Sequence, residues 1–97
     1  MITSKQRAKL RAMANTITPI GQIGKGGINE NIIKQLDEAL EARELIKVTV
    51  LETALMSARE ACEICCETLY AEPGQCIGHK FVIFRTAREP KNRKIKI

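Results

Sequence analysis

The sequence predicts an α/β fold, an α+β sandwich in which a small four-stranded mixed sheet carries packed helices. Two observations lead to it. Apolar residues recur at helical spacing in three stretches, and between and after these stand β-branched runs bounded by Gly and Pro. The resulting order, α-β-α-β-α-β-β, calls for a sheet covered by helices. At 97 residues the chain makes one modest core. Tyr70, Phe81 and Phe84 are its only aromatics and Trp is absent, so that core is aliphatic.

Thr3-Ser4-Lys5-Gln6 reads as a capping box that opens a first helix running to about Asn15. Leu10, Met13 and Ala14 share one face of it, with Ile17 just beyond. Lys5 and Lys9 flank that face on one side and Arg7 and Arg11 on the other, four cations without an acid. Residues 17–23 form a short strand candidate with Pro19 near its start and glycines at its end. Asn29 then caps a second helix over about Glu30 to Ala42. Ile32, Ile33, Leu36, Ala39 and Leu40 make its apolar stripe, and Asp37, Glu38 and Glu41 are expected to face water.

Residues 45–51 are the clearest strand, with Lys47 and Thr49 alternating with apolar neighbours, so one face is expected to be partly open to solvent. A third helix is expected to start between Ala54 and Ser57, run to Tyr70, and be closed by Pro73-Gly74. Ala58, Ala61, Cys62, Cys65, Cys66 and Leu69 form its inner face; Ile64 stands outside that stripe. Gln75-Cys76-Ile77, Gly78-His79 and Lys80 to Arg85 read as a hairpin with a type II′ turn. The domain is expected over residues 1–88. A basic tail over 89–97 follows, and the chain from Thr86 onward is expected to be mobile or loosely docked.

Charge is unevenly laid out. Residues 1–28 carry five cations and no acid, residues 29–79 carry a net −6, and residues 80–97 a net +6. Such a chain folds into a polarised molecule, and polarised basic surfaces meet nucleic acid or anionic lipid. No stretch approaches the length of a membrane span, and cations interrupt any signal-like apolar run at the N-terminus. A cytoplasmic protein without a membrane partner is the expectation.

Gly24-Lys25-Gly26-Gly27, between a strand and a capped helix, exposes backbone N–H groups and a cation at a helix N-terminus, a combination suited to phosphate. It lacks the G-x-x-x-x-G-K-[ST] order of a Walker loop and the third glycine of a dinucleotide fingerprint. It satisfies the G-x-x-G pattern that clamps a nucleic-acid backbone. Cys62-Glu-Ile-Cys65 is a C-x-x-C, but with only Cys66 and Cys76 besides, the second C-x-x-C of a zinc site is missing. Helical phase makes three of the cysteines core residues. His79, the single histidine, is read as a turn residue, the acids do not gather with it, and no serine sits in a nucleophile elbow. The expectation is a non-enzyme without catalytic residues, metal or cofactor.

An ordered set of residues carries a family resemblance: Lys5-Gln6-x-x-x-Leu10-Arg11, Pro19-Ile20, Ile23-Gly24-Lys25-Gly26-Gly27-Ile28, Glu38-Ala39-Leu40, Glu44-Leu45-Ile46-Lys47-Val48, Ile77-Gly78 and Val82-Ile83-Phe84-Arg85. Over roughly residues 2–88 the chain resembles the CRM domain (chloroplast RNA splicing and ribosome maturation) in its stand-alone bacterial, YhbY-like form. The resemblance implies a fold like the C-terminal domain of translation initiation factor three. It also implies RNA binding without catalysis, through the GxxG loop and basic surface, on large-subunit ribosomal precursors. Asn29 stands where the family commonly has threonine, and the cysteines of the third helix are no family hallmark.

The expected RNA-binding residues are Gly24, Lys25, Gly26 and Gly27, extended by Lys5, Arg7, Lys9, Arg11, Lys80, Arg85 and Arg88. The expected partner is ribosomal RNA, with ribosomal proteins beside it, bound by a monomer that assists ribosome assembly. Two alternatives stand against this reading: a metal or redox protein built on Cys62, Cys65, Cys66 and Cys76, and a protein-binding module with a basic face.

Overall fold

The computed structural model describes residues 2–95. Met1 of the expected domain and Lys96 and Ile97 of the expected tail lie outside the described residues. Helix α1 spans Ser4–Ala14, strand β1 Gly21–Ile23, helix α2 Glu30–Arg43 and strand β2 Leu45–Val50. A 3₁₀ turn over Glu52–Ala54 leads to helix α3, Ala58–Leu69, and strands β3, Glu72–Ile77, and β4, Lys80–Phe84, complete the sheet. The strand order is β1-β2-β4-β3, with β1 parallel to β2 and the other pairs antiparallel, the mixed sheet that the sequence predicts.

Local chemistry fixes the helix starts. The Thr3 hydroxyl accepts from the Gln6 N–H (3.1 Å) and the Gln6 side chain accepts from the Thr3 N–H (2.8 Å). Ser57 and Glu60 form the same reciprocal box ahead of α3. Each such cap is worth about 1 kcal/mol. Asn29 caps α2 by accepting from the Ile32 N–H at 3.0 Å.

Alternation along the strands divides the core in two. Ile46, Val48, Val50, Phe81 and Ile83 point to one face, where Leu36 and Leu40 of α2 and Ala61, Cys62, Cys65 and Leu69 of α3 cover them. Leu45, Val82 and Phe84 point to the other, covered by Leu10 and Ala14 of α1. Ile64 lies off the buried stripe because it faces a groove between α2 and α3. That groove is about 750 Å³, shares Ile28, Ile33 and Leu69 as apolar walls, and leaves Ile64 43% exposed.

Four expectations need correction. Strand β1 is shorter than residues 17–23, although Ile20 still donates to Lys47 O at 2.9 Å. Pro73-Gly74 does not close α3. Tyr70 does so in a left-handed conformation (φ 56), and Ala71 N–H returns to Cys66 O. Pro73 and Gly74 sit inside β3, where the register with β4 slips. An edge strand tolerates the proline, because its outer side needs no N–H.

Asp37 and Glu41 do not simply face water, since both hold the segment after β4. That segment is firmly docked. Ala87 is buried, and its N–H donates to Glu44 Oε2 at 2.7 Å, while those of Lys94 and Ile95 donate to Glu44 Oε1 at 2.6 and 2.8 Å. The N–H groups of Arg88 and Glu89 and the side chain of Asn92 bond Glu41. Helix α2 ends at Glu44 (φ 66), which turns this carboxylate inward, 0% exposed.

Candidate nucleic-acid interface

The glycine loop forms a β-turn: Gly27 N–H donates to Gly24 O at 2.8 Å, with Lys25 and Gly26 at its tip. Gly27 has φ +65, a left-handed backbone that favours glycine. Gly24 and Gly26 have no such backbone. A Cβ on Gly24 would meet Leu51 Cδ1 at 3.4 Å and Thr53 Oγ1 at 3.6 Å, and one on Gly26 only the Asn29 side-chain nitrogen at 3.3 Å. A side chain at either position needs a neighbouring side chain to give by a few tenths of an ångström, but no change of backbone. Among the described residues the amides of Lys25 and Gly26 have no internal partner, and both residues are exposed at the N-terminal end of α2.

Register shows what lies beside this turn. Gln22 is opposite Thr49, Thr49 opposite Lys80, and Lys80 opposite Ile77, one row across the sheet just before the turn. Lys47, Thr49 and Lys80 share their face with Leu45, Val82 and Phe84, the side on which α1 packs. Helix α1 covers the end of the sheet at Leu45 and Phe84, whereas the glycine turn follows Ile23, opposite Val50 at the other end. Between them lie half-buried Lys47 and Thr49 and exposed Lys80, the polar residues of this face nearest the turn. Lys5, Lys9 and Arg11 stand exposed on α1 at one end and Lys25 at the other. Lys47 is absent from the sequence-based site; its alternation with apolar neighbours is the signal that finds it.

The remaining expected residues are placed differently. Arg7 is half-buried and donates through Nε to Pro73 O at 3.2 Å. Arg85 is a structural residue. Its side chain is 11% exposed, Nη1 bonds Asp37 Oδ1 (2.7 Å) and Leu69 O (3.2 Å), and Nη2 bonds Asp37 O (3.1 Å). Arg88 is 65% exposed but paired with Asp37 and Glu41. The Arg85 hydrogen bond is the largest influence on Asp37. With Arg88 it outweighs partial burial and holds the carboxyl below the usual range. These two arginines close the chain's own acidic face.

Cys62 and Cys76 face each other across the wall between α3 and β3, while Cys65 is buried in the main core and Cys66 packs against it. Bonding to Cys66 and then burial push the Cys62 thiol up, and burial pushes Cys65 and Cys76 up to about 11. All four are free, and among the described residues no group of three or more His, Cys, Asp or Glu side chains is placed to hold a metal ion. No helix among them is long and apolar enough to cross a membrane.

Residues 2–85 match the CRS1 / YhbY (CRM) domain family. The chain belongs to that family. Within it, the "Probable RNA-binding protein YqeI" of Bacillus subtilis is 44% identical over 91 residues, which cover 94% of this chain and 95% of that one. The "Probable RNA-binding protein MJ0652" of Methanocaldococcus jannaschii is 34% identical over 105 residues, 98% of this chain and 77% of that one. The solution structure of the hypothetical protein SAV1595 from Staphylococcus aureus has the same fold, with a TM-score of 0.76 and 45% identity over 99% of this chain and 100% of that one. This CRM domain thus has its glycine turn, the polar residues of β2 and β4, and α1 inside the family span. The docked segment from Thr86 onward lies beyond it.

Proposed function

We propose that this CRM domain is a non-catalytic RNA-binding protein whose glycine turn receives a phosphate of the RNA backbone. The observation that carries this reading is a turn whose tip residues, Lys25 and Gly26, are exposed and whose tip amides have no internal partner among the described residues, flanked by glycines that keep side chains away from them. A backbone phosphate needs close approach to amides and a cation beside them. Lys80, Lys47 and the exposed cations of α1 extend the contact along the sheet face. Contacts of this kind position the RNA and carry little sequence readout. The names of the relatives support RNA as the partner. The family likeness supports ribosomal RNA of large-subunit precursors and a part in ribosome assembly; we propose that the protein acts there as a cytoplasmic monomer.

Salt titration of RNA binding tests the phosphate contacts. Affinity should fall steeply with salt, by about 0.7 in log–log slope for each phosphate neutralised on single strands. Lys25→Ala combined with Gly26→Asp should lower that slope and weaken binding while the fold persists, because a Cβ at Gly26 meets only the end of the Asn29 side chain, which has to shift by a few tenths of an ångström. A folded double variant with wild-type affinity would remove the turn from the site. Crosslinking in cells followed by sequencing of the bound RNA tests the target. Enrichment of large-subunit precursor sequences supports it, and their absence from the bound pool refutes it.

A further inference from the structure

The wall behind the glycine turn is the connection between β2 and α3. Leu51 and Thr53 lie against Gly24, and Met56 Cε stands 4.0 Å from the position of a Gly27 Cβ. The same connection carries Leu55, the most exposed large apolar side chain among the described residues at 93%. Leu55 ends the 3₁₀ turn in the left-handed region (φ 56, ψ 31), where its N–H returns to Glu52 O at 3.2 Å. Glycine or asparagine adopts that backbone without penalty, and leucine does not. Its side chain returns nothing to the fold through burial. Tyr70 closes α3 with the same left-handed backbone and 89% exposure, so what sets Leu55 apart is its place in the connection that walls the glycine turn.

Accepting the RNA reading above, on which this inference rests, we infer that Leu55, with Leu51 and Met56, is an apolar ledge for an unstacked base next to the phosphate held at Lys25. An aliphatic side chain offers nothing to a phosphate and little to a hydroxyl-bearing ribose, so the surface of RNA that suits it is a base face. In a duplex the base faces are stacked on one another, so a free face comes only from unpaired nucleotides. The RNA class is therefore single-stranded: a loop, bulge or end rather than a continuous helix. The ledge also supplies what the scarce aromatics do not, an apolar platform close to the clamp.

The test uses the full chain with Leu55→Gly, Leu55→Asn and Leu55→Met. The probes are a labelled hairpin RNA carrying 2-aminopurine in a single-stranded loop and a fully paired RNA duplex of equal length. Wild type should prefer the hairpin and change the 2-aminopurine emission. Leu55→Gly and Leu55→Asn should fold at least as stably, yet bind the hairpin about five- to tenfold more weakly. Their salt slope should be unchanged and the emission change lost. Leu55→Met should retain both. Wild-type hairpin affinity in the glycine and asparagine variants, or equal wild-type affinity for duplex and hairpin, overturns the ledge. Lys25→Ala reports the RNA reading separately: a reduced salt slope there with no Leu55 effect leaves the clamp standing and removes the ledge. Salt-insensitive binding by wild type removes both.

Discussion

Replacing Glu44 by glutamine should unfasten the chain's last described residues. The Glu44 carboxylate is fully buried and accepts three backbone N–H groups, from Lys94 (2.6 Å), Ala87 (2.7 Å) and Ile95 (2.8 Å). A glutamine oxygen can keep the two N–H groups that share Oε1, but its amide nitrogen then confronts the Ala87 N–H, donor against donor. Bonds to a charged acceptor contribute about 1.5–3 kcal/mol each against about 1 for neutral ones, and a stranded buried N–H costs about 1–3 kcal/mol. The change should therefore cost about 2–4 kcal/mol, a fall in Tm of about 10–25 °C for a chain of this size. Thermal unfolding measures the total, and amide exchange at Ala87, Lys94 and Ile95 measures the local release. A variant with wild-type Tm and unaltered exchange at those three amides would refute the clasp.

Acid should act on the same contact. Burial is the largest influence on Glu44 and raises its pKa, but the three N–H groups and the Arg93 charge outweigh it and leave the value lowered. Asn92, then the N–H groups of Glu89 and Arg88, hold Glu41 at about 2. Lowered folded-state values mean stabilisation that is complete above the ordinary carboxylate pKa, 4.5, and lost as pH falls toward about 2. Amide protection over residues 87–95 should fade across that interval, whereas protection that vanished between pH 7 and 5 would contradict it. Gly27→Ala should lower stability by about 1 kcal/mol because of its left-handed backbone, while Gly26→Ala should stay near wild type in the same denaturant titration. Cys76 is exposed, yet burial of its thiol within the wall raises its pKa from 9.0 to about 11. Its alkylation at neutral pH, followed by mass spectrometry, should be on the order of a hundredfold slower than that of an ordinary thiol. An ordinary rate in the folded protein would dismiss that environment.

The three α-helices and four strands are legible in the sequence, because the helices carry an apolar stripe or a cap and the strands β-branched runs or flanking turn residues; the 3₁₀ turn over Glu52–Ala54 carries no such signal. Thr3-Ser4-Lys5-Gln6 and Asn29 behave as their local chemistry dictates. What was hidden depended on distant partners. Nothing near Glu44 in the chain announces a buried carboxylate, since its donors lie at Ala87, Lys94 and Ile95. Arg85 and Arg88 read as free cations for the same reason: Asp37 and Glu41 meet them only across the fold. Pro73-Gly74 resembled a helix stop, and only pairing with β4 reveals an edge-strand irregularity. The glycine turn was visible as a motif, but the contrast between Gly27 and its neighbours required backbone angles and surroundings. Lys47 and Lys80 came onto one face only once the strand register was known.

The clasp on Glu44 also sets a timetable. Glu44 and its donors at Lys94 and Ile95 are separated by 50 and 51 residues, more than half the chain. At about 5–20 residues per second a ribosome needs about 3–10 s to make that stretch. Throughout that interval the nascent chain holds a carboxylate that its own core cannot accept. Strand β4, which joins the two faces of the sheet, is itself made late. The buried carboxylate therefore gains its donors only once Ala87, Lys94 and Ile95 have been made, and both faces of the core wait for β4.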